Sequence, residues 1–144
     1  NNYAKNNLLP SPDKKKYSKE HVLTLLFIYY FKNILSINDI RSILNPLTEK
    51  YFGNDDGFTM QDVYTEVFGL EAEESQKLLK DLGKKYKIAG ETFENFPAED
   101  QKFLHTFSFI CMLSFDVYIK KMLIERMIDD LNEENEASKT GGKN

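Results

Sequence analysis

A chain of 144 residues, 41% apolar and 29% charged, has room for one domain of ordinary size or one domain with a helical extension. Its composition excludes collagenous, low-complexity and wholly disordered classes. The single cysteine, Cys111, excludes an internal disulfide and a cysteine-based zinc site within one chain, and points to a reducing, cytoplasmic compartment. The net charge of −4 is unevenly spread: Asn1–Asn45 holds seven Lys/Arg against three Asp/Glu, and the remainder twelve against twenty. A basic start on an acidic body argues against general nucleic-acid affinity but leaves room for a local phosphate-facing patch.

In chain order, Asn1–Pro10 is polar and has no apolar leader core, so no signal peptide is expected. Asn1–Asn6 reads as the end of a helix. Pro10 and Pro12 then break the chain, and Asp13-Lys14-Lys15-Lys16 reads as a polar turn or short wing. Ser18 is a good N-cap, with Glu20 in the first turn of a helix running to about Lys32. Its stretch VLTLLFIYYF is apolar on nearly every side, which predicts a buried central helix.

Ser36 and Asp39 have capping-box spacing and open a helix expected to end near Leu44, because Asn45-Pro46 follows. Thr59 and Asp62 repeat the signal for a helix with Gly69 at its C′ position. A further helix is predicted over Glu73–Lys85, with Leu78, Leu79 and Leu82 inward, and 90–96 reads as loop. The last helix opens at Pro97 or Ala98 and is predicted to run to about Leu131, roughly 50 Å at 1.5 Å per residue. Its first half, FLHTFSFICMLSFDVYI, is apolar almost all round and reads as a core helix; His105 and Asp116 count against a membrane span. Its second half sets Val117, Ile124, Ile128 and Leu131 in one stripe, fit for a dimer or partner surface or for packing on its own domain. Three regions follow: 1–45, a helical body over 46–131, and a flexible polar tail over 132–144.

Little points to catalysis, so no enzyme, metal or cofactor is expected. His21 and His105 lie on separate helices without metal-ligand spacing, and each reads as a capping or core-edge residue. A carboxylate inside an apolar run, Asp116, calls for a structural partner such as Lys, Arg or Tyr. The Gly53-Asn54-Asp55-Asp56-Gly57 turn fails as a calcium loop: with Gly57 in the sixth position, Phe52 and Val63 occupy the places that need Asp and Glu. Glycine-rich phosphate loops are absent.

The remaining pattern is Tyr3, Leu8-Leu9-Pro10, Lys14–Lys16, Tyr17-Ser18, Glu20, then Leu35-Ser36-Ile37, Asp39-Ile40 and Leu44. In that order it resembles the MerR-type helix-turn-helix: a recognition-helix end, a Leu-Leu-Pro turn, a basic wing, and a helix opened by Tyr-Ser and an acidic residue. The match covers about a third of the chain. Asn7 stands where that family usually has Gly at a left-handed helix end, a conformation Asn tolerates. The wing is shorter than in MerR proteins and lacks their arginines, and the motif's first helix and turn would lie upstream of Asn1. Over nearly its full length the chain is also similar to a bacterial family of helical domains of unknown function with this MerR-like start.

The resemblance implies an all-α helical bundle with a winged helix-turn-helix remnant and a long C-terminal helix. It also implies a dimeric transcription regulator contacting duplex DNA through Asn1, Asn2, Tyr3, Lys5, Lys14, Lys15, Lys16 and Tyr17. The alternatives are a helical protein-interaction module on the same scaffold, and a sensor holding a small ligand among the aromatics of Phe103–Tyr118.

Overall fold

The computed structural model describes residues 2–142, with the side chains of Asn2 and Ala4 left aside. Among the described residues there are six α-helices and no strand: α1 Asn2–Lys5, α2 Lys19–Phe31, α3 Ile37–Tyr51, α4 Met60–Gly69, α5 Glu71–Gly90 and α6 Ala98–Gly141. The chain forms two compact units. Unit 1 comprises residues 1–67 with 123–144, and unit 2 is Phe68–Met122.

In unit 1, Ser18 caps α2: its hydroxyl faces the backbone N–H of His21 at 3.4 Å, and the His21 ring accepts from the Ser18 N–H at 3.0 Å. Histidine therefore fills the capping-box position usually held by Glu or Gln. Glu20 is left free to accept a bond from the Gly53 N–H at 2.8 Å. Ser36 accepts from Asp39 N–H at the start of α3. The Thr59 N–H and hydroxyl both donate to the Asp62 carboxylate at 2.8 Å, and Thr59 accepts from the Asp62 N–H in return, which completes the box before α4.

The core of this unit draws on most of its segments: Leu8 and Leu9 before the 13–16 turn, Leu23, Thr24, Phe27 and Ile28 of α2, and Leu35 in the connection. Ile40 and Leu44 of α3, Met60 of α4 and Ile128 of α6 complete it. Thr24 is fully buried but satisfied, its hydroxyl donating to the Glu20 carbonyl at 2.8 Å. Phe27 stacks on Phe31 and meets Tyr64 edge-on.

Several expectations are corrected. Helix α3 does not end before Pro46 but continues to Tyr51. Proline costs the helix one hydrogen bond; continuing offsets it, because the extra turn delivers Phe52 edge-on to the His21 ring at 4.8 Å and Gly53 to Glu20. Helix α2 is central but not wholly buried, since Val22, Tyr29 and Tyr30 are each more than half exposed. Helix α6 extends past Leu131 to Gly141, carried by Glu133, Glu134, Glu136, Ala137 and Lys139, which mostly favour helix and contain no breaker. Gly69 is the last residue of α4 rather than a left-handed C′ residue, and α5 follows after Leu70 alone.

Unit 2 is an antiparallel pair, α5 and the first part of α6. Its Ala89 is buried and Leu82 half-buried, but Leu78 and Leu79, expected inward, are 49% and 67% exposed. The first half of α6, expected as a core helix, is covered on one side only; one neighbouring helix cannot enclose an all-round apolar one. Removing a central contact of unit 1 by Leu44→Ala should cost about 2–5 kcal/mol, as for buried leucines generally. Urea unfolding followed by circular dichroism measures it, and a loss under about 1 kcal/mol would place Leu44 outside the core.

Candidate nucleic-acid interface

Helix α1 ends as its sequence predicts. Asn7 is left-handed at φ 56°, and the Leu8 N–H reaches back to the Tyr3 carbonyl at 2.9 Å, the long bond of a Schellman cap. What the sequence did not reveal is the clamp on that cap. The Arg41 guanidinium, from α3, donates through Nε and Nη2 to the Asn6 carbonyl at 3.1 and 2.8 Å, and Nη1 donates to the Asn38 side chain. Arg41 lies one residue after buried Ile40, a position that gives no sequence signal for a partner thirty-five residues away.

Beyond the cap, Leu8 and Leu9 are 2% and 3% exposed. The Pro10 carbonyl accepts from His21 Nε2 at 3.0 Å, which leaves Nδ1 unprotonated to face Ser18. Tyr17 lies edge-on to the same ring at 5.4 Å. Thus His21, the capping or core-edge residue expected, ties the entrance of the wing to its exit.

Between these anchors, Asp13 and Lys16 form an antiparallel bridge, with the Lys16 N–H donating to the Asp13 carbonyl at 2.8 Å. Lys14 and Lys15 form the two-residue tip, at φ 45° and 64°. Two consecutive positive values define the primed hairpin turn, which Asn-Gly ordinarily fills. A lysine in this region costs about 1–2 kcal/mol. The segment expected as a turn or short wing is therefore a minimal hairpin whose strained tip holds two exposed ammonium groups side by side in sequence, with a third at Lys16. Strain of this kind concentrates where a site needs a fixed geometry.

Of the other residues singled out, Asn1 lies outside the described residues, and for Asn2 only the backbone, in α1, is described. Tyr3 is half-buried at the cap, Lys5 is exposed in the last turn of α1, and Tyr17 is 47% exposed. The stripe on α6 divides. Ile128 is 2% exposed and is taken up by the core of unit 1, Ile124 is half-buried, and Val117 and Leu131 remain exposed at 59% and 47%.

In unit 2 the carboxylate of Asp116 finds its partner in Lys85 of α5, whose ammonium also meets Asp81. The bond to Lys85 holds Asp116 below the usual carboxylate range, and the bonds to Asp116 and then Asp81 hold Lys85 above the usual lysine range. His105 Nε2 donates to the Thr92 carbonyl at 2.9 Å, while Thr92 and Ser108 share a hydroxyl bond at 3.0 Å. An open groove of about 330 Å³ lies beside His105, lined by Tyr86, Lys87, Gly90, Lys102, Thr106 and Phe109. It is not the enclosed aromatic cavity among Phe103–Tyr118 that a sensor would use. Among the described residues no group of His, Cys, Asp and Glu is placed to hold a metal, and no helix is long and apolar enough to cross a membrane.

Residues 1–67 match the family model described as "Domain of unknown function (DUF1836)". The match ends where the first segment of unit 1 ends, at Val67, and so takes in the cap, the wing and helices α2 and α3. No curated protein and no solved structure matches the chain.

Two measurements test these geometries. Lys14→Asn with Lys15→Gly should raise the stability of the protein by about 1–2 kcal/mol through relief of the left-handed tip; a loss in thermal unfolding would contradict the turn. For the ion pair, the signs differ at the two ends of the pH scale. Asp116, with its folded value lowered, adds stability above the ordinary carboxylate range that is lost as pH falls through its folded value. Lys85, with its folded value raised, adds stability below the ordinary lysine value that is lost as pH rises through its folded value. Asp116→Asn should lower the melting temperature at neutral pH and flatten both limbs; an unchanged pH profile would show that the pair contributes nothing.

Proposed function

We propose that unit 1 is a DNA-binding module of MerR-like descent, and that the protein is a cytoplasmic, non-catalytic transcription regulator acting as a dimer. The observation that carries this reading is the wing tip. A turn made for Asn-Gly holds Lys14 and Lys15 instead, at a cost in backbone strain, between anchors that fix its entrance and exit. Lysines held in this way suit phosphate oxygens, as positioning contacts that carry no base sequence. The left-handed Asn7 cap supports the same reading, since it is where the MerR pattern calls for a left-handed residue. Tyr3 and Lys5, with Asn1 and Asn2, belong to the helix end that would meet the groove, and Tyr17 follows the wing. No small-molecule effector is assigned.

One observation favours a second reading, a protein-interaction module without DNA affinity: the broad exposed apolar surface of unit 2. Salt dependence separates the two, because each phosphate contact made by a lysine releases counterions. Fluorescence anisotropy with a labelled duplex, on protein that includes whatever is encoded upstream of Asn1, should show affinity falling steeply with salt. Replacing Lys14, Lys15 and Lys16 together by Glu should abolish binding, and the milder replacement by Gln should leave weak binding with about 2–3 removed from the magnitude of the log–log salt slope, at roughly 0.9 per phosphate contact. Absence of binding at low salt would leave the interaction module as the function, and undiminished binding by the triple variant would remove the wing from the interface.

A further inference from the structure

Between Phe103 and Ile119, α6 carries a single charged residue, Asp116, and that one is paired with Lys85. Helix α5 and the connection after it cover one side of this stretch, through Tyr86 against Phe109, Thr92 against His105 and Ser108, and Lys85 against Asp116. The opposite side is open. Phe103, Phe107, Ile110 and Val117 are 50–70% exposed and fall, with Ser114, at the alternating four- and three-residue spacing of a helix-packing seam. Beside that seam Phe115, Tyr118, Ile119 and Met122 are 52–65% exposed, and on α5 Leu79 and Tyr86 stand out at 67% and 70%.

The eight α6 side chains expose on the order of 900 Å², taking roughly 200 Å² for a whole aromatic side chain. A monomer rarely shows a contiguous apolar patch of more than about 300–600 Å². An interface of standard size takes about 800 Å² from each partner. The patch thus has the extent of one half of a stable dimer.

We propose that unit 2 pairs with unit 2 of a second copy of this chain to form an antiparallel four-helix bundle, with the two α6 helices in contact through the Phe103–Val117 seam. The apolar sector is wider than a two-stranded seam, so it needs two more helices, which a second α5–α6 hairpin supplies. Charge sets the direction. The stretch is preceded by Glu99, Asp100 and Lys102, a net of −1, and followed by Lys120 and Lys121, a net of +2. Running the helices in opposite directions about Met112 faces Phe107 with Val117 and Ile110 with Ser114, and sets Lys121 of each helix within one turn of Asp100 on the other. A parallel pairing would instead stack like charges at both ends. Ser114 enters the seam without an unmet donor, because its hydroxyl donates to the Ile110 carbonyl at 2.8 Å.

This inference takes up the dimer in the functional reading above and is separable from DNA binding. A dimer that binds no DNA removes only the regulator, and a monomer that binds DNA removes only the bundle. Sedimentation equilibrium of the whole chain at micromolar concentration should give the mass of two chains. Phe107→Glu with Ile110→Glu should give one chain with its helical circular dichroism retained; should that variant lose its helix, Phe107→Asn, a milder change, should still raise the dissociation constant at least tenfold. Asp100→Lys and Lys121→Glu should each weaken the dimer about three- to fivefold, the weight of an exposed ion pair, and together restore it. Spin labels attached through Lys102→Cys in a Cys111→Ser background should lie about 30 Å apart along the bundle, against about 10 Å in a parallel one. A single-chain mass for the unaltered protein, a folded double-Glu variant that still dimerises, or the short label distance would each overturn the proposal.

Discussion

The placement of the N-terminal segment depends on one contact, the Arg41 guanidinium on the Asn6 carbonyl. A four-residue helix has no stability of its own, because helix nucleation is unfavourable and α1 completes barely one turn. It is held because its last carbonyls are spoken for: Tyr3 by the Leu8 N–H, Asn6 by Arg41. The reversal at Asn7 then drives Leu8 and Leu9 into the core, and their burial, at about 1.5–3 kcal/mol for a full leucine side chain, fixes where the chain must go next. Pro10 meets His21, and the wing starts from a defined point.

Unit 1 and unit 2 solve the burial problem differently. Unit 1 collects leucines, isoleucines and aromatics from several segments around α2, so that most of its large apolar side chains find neighbours within the chain. In unit 2 a single helix, α5, accompanies the most apolar stretch of the sequence. The polar contacts there are well made: the Lys85 ammonium serves Asp116 and Asp81, and Thr92 serves both Ser108 and His105. They fix the register of α5 on α6 without covering the far side.

Much of this was legible in the sequence where physics is local. The caps at Ser18, Ser36 and Thr59, the turn at 13–16 and the need of Asp116 for a structural partner follow from residue types at short spacing, the left-handed Asn7 is implied by the resemblance, and the structure has all of them. The misreadings come from long-range terms. Pro46 stops a helix in isolation, but Phe52 on His21 and Gly53 on Glu20 make its continuation worthwhile. Periodicity marks Leu78 and Leu79 as apolar without saying whether anything faces them, and the same blindness turned the first half of α6 into an expected core helix. Arg41 was invisible because its acceptor is a backbone carbonyl thirty-five residues away, and a carbonyl has no sequence signature. The polar residues of 13–16 located the turn; its backbone strain is visible only in the dihedral angles.

That strain has a thermal side. Two lysines in a left-handed turn relax as soon as the segment is free to do so, since nothing in the tip itself prefers the folded arrangement beyond one backbone bridge. The tip is therefore ordered by its anchors, and its local melting is set by how firmly Leu8, Leu9 and His21 are held rather than by the helices below. On warming, the cluster of ammonium groups would lose its geometry while α2 and α3 remain helical. Any anion gripped there would feel that loss as a fall in affinity well before the unit unfolds.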